Sequence, residues 1–143
     1  MNDKCAAGTG RFLEMMAKTL RVPLPDIGGF SLDNNEDIAI TSLCAVFAKS
    51  EVIRYMRRGT PKADILAGLH EATTDRVIGI LKRVGIVPEF VVSGGIAKNI
   101  GVVRRVEKRL GMTAHIATDP QIIGALGAAI FAWDMLGSEM DSS

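Results

Sequence analysis

The sequence contains few aromatic and few cysteine residues, and it has no long apolar run. Aromatic side chains make up 5% of its 143 residues, which argues against a base-stacking surface for nucleic acid. No segment approaches the ~18 consecutive apolar residues of a membrane span, and the polar N-terminus lacks the apolar region of a signal peptide. The net charge of +1 gives no general attraction to polyanions. We therefore expect neither a nucleic-acid nor a membrane partner.

The two cysteines, Cys5 and Cys44, indicate a reducing compartment rather than a disulfide framework, so we expect a cytoplasmic protein. Zinc requires four ligands, and two histidines at unrelated positions do not complete a set. Two chains together supply four cysteines, the number that a [4Fe–4S] cluster requires. Two interpretations stay open at this point: a cluster shared across a two-fold homodimer, and two unrelated buried thiols.

The stretch Asn2–Phe12, NDKCAAGTGRF, is a loop of small residues that leads directly into a helix pattern. Its side chains have little bulk, so a ligand can approach the backbone closely. Thr9 is placed to cap a helix predicted over Arg11–Leu20. A helix N-terminus presents free N–H groups and a partial positive charge, which suit a phosphate or a metal-bound thiolate. A plain turn accounts for the same residues.

The remaining patterns predict a helix-rich α/β chain. After a turn-rich region over residues 21–40, helices are predicted over 43–57, with Thr41 or Ser42 as cap, and over 61–84. Apolar strands over 87–93 and 112–117 then alternate with helices that start near Asn99 and cover 121–136. This βαβα order favours a parallel pair with a right-handed crossover, in which ligands gather at the C-terminal ends of the strands. Gly94 and Gly95 lie at such an end and either contact a ligand or form a tight turn.

Side-chain patterning predicts which faces are buried. The buried side of helix 43–57 is predicted to hold Leu43, Val46, Phe47, Val52, Ile53 and Met56. The apolar stripe of helix 61–84 is predicted to hold Ile65, Leu66, Leu69, Thr73, Val77, Ile80 and Leu81. His70 is expected to face solvent or to cap a helix. Four basic residues are expected to form only the solvated face of their helix: Arg104, Arg105, Lys108 and Arg109.

Three of these segments resemble the signatures of one family. The loop Asn2–Phe12 is similar to the signature loop of the activator ATPases (component A) of 2-hydroxyacyl-CoA dehydratases, which are related to the ATPase subunits of benzoyl-CoA reductase. Ser93–Asn99, SGGIAKN, resembles the second signature of this family. Asp119-Pro120-Gln121 with the Gly/Ala-rich helix that follows resembles the third. The first motif is highly specific, and the similarity covers nearly the entire chain.

The resemblance implies the ribonuclease-H-like fold of acetate and sugar kinases, heat-shock chaperones and actin, in which two halves close on a nucleotide. The chain would be one such α/β half, helix-rich with a small, mostly parallel sheet, over residues 1–137, followed by a frayed tail over 138–143. The family's N-terminal half carries an aspartate–glycine phosphate loop and a magnesium-binding acid, which these motifs do not include. The full-length family couples ATP hydrolysis to electron transfer, and we expect no ATP hydrolysis by this part alone.

The resemblance also implies two cofactors, ATP or ADP with Mg²⁺ and a [4Fe–4S] cluster shared between the subunits of a homodimer. Cys5 and Cys44 correspond to the cluster ligands. The nucleotide-binding residues carried over from the motifs are Gly8, Thr9, Gly10, Gly94, Gly95, Lys98, Asn99 and Gln121. The implied partners are a low-potential electron donor, such as ferredoxin or flavodoxin, and a dehydratase or related reductase of anaerobic metabolism that receives one electron. No catalytic residue is assigned.

Two other functions stay open at the level of the sequence. One is a nucleotide-binding, kinase-like or regulatory domain of the same fold without a cluster, for which Cys5 and Cys44 would matter little. The other is an inactive structural fragment whose exposed apolar surface drives association.

Overall fold

The computed structural model describes residues 9–36, 38–41 and 44–140, except for the side chains of Thr9 and of residues 138–140. This part of the chain forms six α-helices, one 3₁₀ turn and two short strands. In chain order they are α1 (Thr9–Leu20), α2 (Ile27–Phe30), α3 (Ala45–Arg57), α4 (Lys62–Val84), β1 (Phe90–Val91), the 3₁₀ turn (Gly95–Lys98), α5 (Ile100–Leu110), β2 (Ala114–His115) and α6 (Ile123–Met140).

The core lies where α1, α3, α4 and α5 pack against one another. Each of these helices repeats apolar residues at the three- and four-residue spacing that lines one helical face. Burial of each large apolar side chain contributes roughly 1.5–3 kcal/mol, which brings these faces together. The core side chains of the four helices include Leu13, Met16 and Leu20 of α1, Val52 of α3, Ile65, Leu66 and Leu69 of α4, and Val102 and Val106 of α5.

The predicted helices are confirmed, with differences at their ends. Cys44 is the N-cap residue of α3, just before the first turn in which we predicted it. Thr41 does not cap this helix, because its backbone N–H and its hydroxyl both donate to the carboxylate of Glu51, at 2.9 and 2.8 Å. The alternative cap, Ser42, lies outside the described residues. The last helix continues to Met140, four residues beyond the predicted end.

The predicted parallel strand pair is confirmed, with Phe90 opposite Ala114 and Val91 opposite His115. Each strand has two residues, so the strands predicted over 87–93 and 112–117 are too long. Pro88 has no N–H to donate to a sheet, and within the described chain each strand pairs only with the other. The pair therefore places the loops that follow β1 and β2 side by side.

α2 and α5 cross at a close contact between two glycines, Gly28 and Gly101. A Cβ atom at Gly101 would lie 2.8 Å from the Gly28 carbonyl oxygen and would also collide with the hydroxyl of Ser31. A Cβ atom at Gly28 would lie 2.8 Å from Oδ1 of Asn99. The turn-rich region that we predicted as a loop thus contains a short helix, which packs on the start of α5.

α6 exposes much of its apolar surface. The exposed fraction is 78% for Trp133, 73% for Phe131 and 61% for Leu136. A Cβ atom at Gly124 or Gly127 would meet nothing within 4 Å, so neither glycine of this Gly/Ala-rich helix is in close contact with another backbone within the described residues. No described helix combines the length and apolarity needed to cross a membrane. An apolar surface of this kind is typical of a contact with another domain or subunit.

The crossing of α2 and α5 predicts opposite effects for two glycine-to-alanine substitutions in helices. Gly101→Ala should lower the free energy of unfolding by about 1–3 kcal/mol, because the added methyl group overpacks the contact with α2. Gly79→Ala, on the exposed side of α4 where a Cβ meets nothing within 4 Å, should raise it by about 0.5–1 kcal/mol. Urea unfolding measures the free energy of unfolding of both variants. Equal changes would contradict the close contact between α2 and α5.

Candidate functional site

A cleft of about 530 Å³ lies between the start of α1, the loop at Leu24 and Pro25, the 3₁₀ turn and Gln121, which lies just before α6. Its volume is within the range of small-molecule sites, about 300–1,000 Å³. Residues from all three family-like motifs line it, namely Gly10, Gly95, Lys98, Asn99 and Gln121. Their role in binding a nucleotide stays a prediction, but the fold brings them together from positions more than a hundred residues apart.

Lys98 is the central cation of the cleft. Its ammonium group donates to Oε1 of Gln121 at 2.7 Å and lies 3.8 Å from Oδ1 of Asp119. The side chain is 56% exposed, so it can turn from these partners towards a ligand. Glu14, the one carboxylate among the described lining residues, hydrogen-bonds to Arg11 and Lys18, which lower the pKa of Glu14. The charge of Glu14 is offset by these two cations, and the ammonium group of Lys98 is the positive charge that the cleft offers to an anionic ligand.

Gly94 connects the two loops that follow the strands. Its φ of 80° lies in a region that favours glycine, and its N–H donates to the Pro120 carbonyl at 2.7 Å. This bond fixes the 3₁₀ turn beside Gln121, and a Cβ on Gly95 would lie 3.6 Å from Nε2 of Gln121. Gly94 is not among the residues that line the cleft. It shapes the cleft indirectly, through the backbone hydrogen bond to Pro120.

Asn99 caps α5 and lines the same cleft. Its Oδ1 accepts a hydrogen bond from the backbone N–H of Val102 at 3.2 Å, as an N-cap residue does. Nε2 of His70 lies 3.1 Å from the same Oδ1. His70 is fully buried between α4 and α5, so the prediction that it faces solvent or caps a helix is wrong. Polar partners on both ring nitrogens permit this burial, since Nδ1 lies 2.7 Å from the Leu66 carbonyl oxygen.

The buried ring of His70 is held neutral. Burial lowers its pKa from 6.5 to about 4, and the positive charge of Arg105 acts in the same direction. The oxygens of Leu66 and Asn99 favour the protonated ring and oppose this shift, because a neutral ring can donate to only one of them. The desolvation cost of the charged ring is the larger effect. His70 is thus a neutral support for Asn99 at pH 7.

Cys44 lies exposed at the start of α3, with extended backbone angles of φ −79° and ψ 123°. Its neighbours Val46 and Phe47 are 68% and 66% exposed, so the prediction that both are buried is wrong. The core side of α3 holds Val52, as predicted, together with Ala48. An exposed thiol beside exposed apolar side chains is typical of a contact surface, and a helix N-terminus stabilises a thiolate.

The other predicted cysteine lies outside the described residues. Cys5 and Gly8 belong to that part of the chain, and Thr9 begins α1 with an undescribed side chain. Over 9–36, 38–41 and 44–140, no group of three or more His, Cys, Asp or Glu side chains could hold a metal ion. Cys44 is therefore the only predicted cluster ligand among the described residues.

Several lining residues of the cleft were missed by sequence reasoning. Leu13 and Glu14 follow Gly10 at three- and four-residue spacing on α1, so the helical period alone could have placed them beside it. Leu24 and Pro25 lie in the turn-rich region and were given no role, and Ile96 was noted only as part of the second motif. No local signal indicates that these segments meet.

Comparisons with known proteins relate the chain to activator ATPases. The sequence profile of the BadF/BadG/BcrA/BcrD ATPase family matches residues 1–132. The chain is 48% identical over 133 residues to the (R)-2-hydroxyglutaryl-CoA dehydratase activating ATPase of Acidaminococcus fermentans, and the match covers 93% of this chain and 51% of the relative. It is 42% identical over 134 residues to the 2-hydroxyisocaproyl-CoA dehydratase activator of Clostridioides difficile, with 94% of this chain and 50% of that protein covered. A benzoyl-CoA reductase component of Thauera aromatica is 32% identical over 137 residues, with 92% of this chain and 49% of that protein covered.

A solved structure shows the same fold. The activator of the 2-hydroxyisocaproyl-CoA dehydratase from Clostridium difficile with bound ADPNP superimposes with a TM-score of 0.89 at 39% identity. The superposition covers 99% of this chain and 53% of that one, which confirms the predicted fold class. The chain spans about half the length of the relatives that it matches, 51% for the A. fermentans protein.

His70 predicts a pH dependence of stability. Because its pKa is about 4 in the folded chain and 6.5 as the reference value, the unfolded chain takes up the proton first as the pH falls. The stabilisation is complete above pH 6.5 and is lost progressively down to about pH 4, by on the order of 3 kcal/mol. Urea unfolding over this pH range measures the slope.

The variant His70→Gln should remove this part of the slope, whatever its absolute stability. His115→Gln, which replaces the exposed histidine of β2, is the matched control and should retain it. An unchanged slope in His70→Gln would contradict the neutral buried ring.

Proposed function

The chain belongs to the BadF/BadG/BcrA/BcrD ATPase family, and from this membership we propose that it is the nucleotide-binding and cluster-bearing part of an ATP-dependent activator. The activator would donate one electron to a 2-hydroxyacyl-CoA dehydratase or a benzoyl-CoA reductase-type enzyme. The observation that carries the proposal is the convergence of three separate motifs on one cleft. Because the chain spans about half of its relatives, the activity is proposed for the protein of which these residues form a part.

The cleft supports binding of ATP or ADP with Mg²⁺. Leu24, Pro25 and Ile96 form an apolar wall that suits the face of a base. The start of α1 at Thr9 and Gly10 lies at the same cleft, where backbone N–H groups and the helix dipole favour phosphate. The Lys98–Gln121 pair offers both donors and acceptors for the polar groups of a nucleoside.

The surface around Cys44 is suited to a cluster shared by two subunits. The exposed thiol with Val46 and Phe47 beside it would be covered by a second copy of the chain in a homodimer. Cys5 and Cys44 of both subunits would then supply four thiolates, the ligand set of a [4Fe–4S] cluster. The cluster would supply one electron at low potential. The placement of Cys5 in this proposal depends on the family motif alone.

The partners follow from the same proposal. A low-potential donor such as ferredoxin or flavodoxin would reduce the activator, and the dehydratase or reductase would receive the electron. A second candidate function is a kinase-like or regulatory nucleotide-binding domain without a cluster. It is favoured by the fact that the cleft is formed without Cys44, which lies on a different helix from every lining residue.

The nucleotide proposal predicts a matched pair of binding results. Lys98→Ala and Gln121→Ala should each weaken ADP binding about tenfold, the effect of losing roughly 1.4 kcal/mol of polar contact. Lys82→Ala, which removes an exposed lysine from the last turn of α4, is the control and should bind ADP as the unchanged chain does. Isothermal titration in the presence of Mg²⁺ measures all three. Equal affinities would show that the cleft is not the nucleotide site.

The cluster proposal predicts about two iron and two acid-labile sulfide atoms per chain after anaerobic purification, in a homodimer. Cys44→Ser should lose both and the brown colour, and it should retain the ADP affinity of the unchanged chain. Iron analysis beside the mass in solution measures this. Full iron content in Cys44→Ser would contradict the ligand assignment, and an iron-free protein after reconstitution would favour the second candidate function.

A further inference from the structure

A second concavity, the α5 groove, lies between α4, α5 and the segment 32–39. Its volume is about 580 Å³, and it shares no lining residue with the nucleotide cleft. The lining residues are Leu32, Asn34, Ile38, Ala39, Ala67, Gly68, Glu71, Arg104, Arg105, Lys108 and Arg109. Neither the family motifs nor the proposed activator function assigns a role to this groove.

The α5 groove combines an apolar part with a cationic wall. Ile38, Ala39 and Ala67 supply apolar side chains, and Gly68 lets α4 approach the Ile38 carbonyl more closely than any side chain would permit. The basic residues of α5 contribute positive charge, against one carboxylate among the described lining residues, Glu71. In a chain with a net charge of +1, this is a local concentration of positive charge.

Two of the four basic residues are paired with other groups. The prediction of a merely solvated face is wrong for Arg105, which is largely buried, whereas Arg109 is 42% exposed and lies on that face. The Arg105 side chain is 14% exposed and donates to the Ser31 carbonyl at 2.7 Å and to the Gly101 carbonyl at 2.9 Å. Arg109 donates to Asp75 at 2.6 Å and to Glu71. These contacts occupy the carboxylates beside the groove.

Arg104 and Lys108 keep their charges available. Within the described ranges, neither side chain forms a hydrogen bond or an ion pair with another residue. They are four residues apart on α5, a spacing that places two side chains about 5–6 Å apart on one helical face. A phosphate dianion has three acceptor oxygens and can contact both a guanidinium and an ammonium group at this separation.

We propose that the α5 groove binds a small phosphorylated organic molecule. Its phosphate contacts Arg104 and Lys108, and its apolar part lies against Ala39 and Ala67. The concave shape and the volume, within about 300–1,000 Å³, are those of a small-molecule site rather than of a flat protein contact. The proposal is independent of nucleotide binding in the cleft, because the two sites share no residue.

The test uses the full chain, labelled with ¹⁵N, and phenyl phosphate as the probe. Chemical-shift changes should saturate at residues 104–109 and 38–41, with Gly95 and Asn99 unaffected. The double variant Arg104→Ala/Lys108→Ala should weaken binding about tenfold or more. Lys82→Ala/Arg83→Ala removes the same two residue types from the exposed end of α4 and should change the affinity less than about twofold. Circular dichroism verifies that both variants are folded.

Other probes decide the chemistry of the ligand. Inorganic phosphate and benzoate should bind more weakly than phenyl phosphate. Inorganic phosphate lacks the apolar part, and the carboxylate of benzoate has one charge and two acceptor oxygens where the phosphate has two charges and three. Equal affinity for inorganic phosphate would overturn the organic part of the proposal, and tighter binding of tetraglutamate would indicate an acidic polypeptide instead. Equal losses in both double variants, shifts confined to Gly95 and Asn99, or no saturation would each overturn the site.

Discussion

The side chain of Asn99 is the point at which the fold and the cleft depend on one another. One oxygen caps α5, contacts the buried ring of His70 and lies so close to Gly28 that no side chain fits there. The same residue lines the cleft. A ligand that contacts the Asn99 side chain therefore contacts a group that packs against α2 and α4 and caps α5. Glu71, which follows His70 on α4, contacts Arg109 and lines the α5 groove, so one turn of α4 contacts both Asn99 and the groove.

Local patterns predicted most of the secondary structure, because helix ends and strand–turn–helix units depend on neighbouring residues. The start of a helix near Asn99 was of this kind. The approach of α1 to the 3₁₀ turn was different, since residues 10 and 95 meet only in the folded chain. The family resemblance, rather than periodicity, predicted that they belong to one site. His70 was misassigned because an isolated polar residue gives no local sign of two partners in α4 and α5.

Apolar periodicity also cannot distinguish a core from a contact surface. Val46 and Phe47 satisfy the pattern of a buried helical face, and yet both are exposed beside Cys44. Trp133 and Phe131 of α6 are likewise large apolar side chains that are exposed. Burial of such side chains stabilises any contact that removes them from water. The chain spans about half of its relatives, and a contact with further polypeptide at either of these two surfaces would remove large apolar side chains from water.

The most direct test of the account is to locate bound nucleotide on the chain. A ¹H–¹⁵N spectrum of the full chain, titrated with ADP and Mg²⁺, reports each backbone amide separately. The account predicts saturable changes at Gly10, Gly95, Lys98, Asn99 and Gln121, the residues that line the cleft from three separate motifs. Changes confined to the α5 groove, or no saturable change, would contradict the claim that these motifs form one nucleotide site.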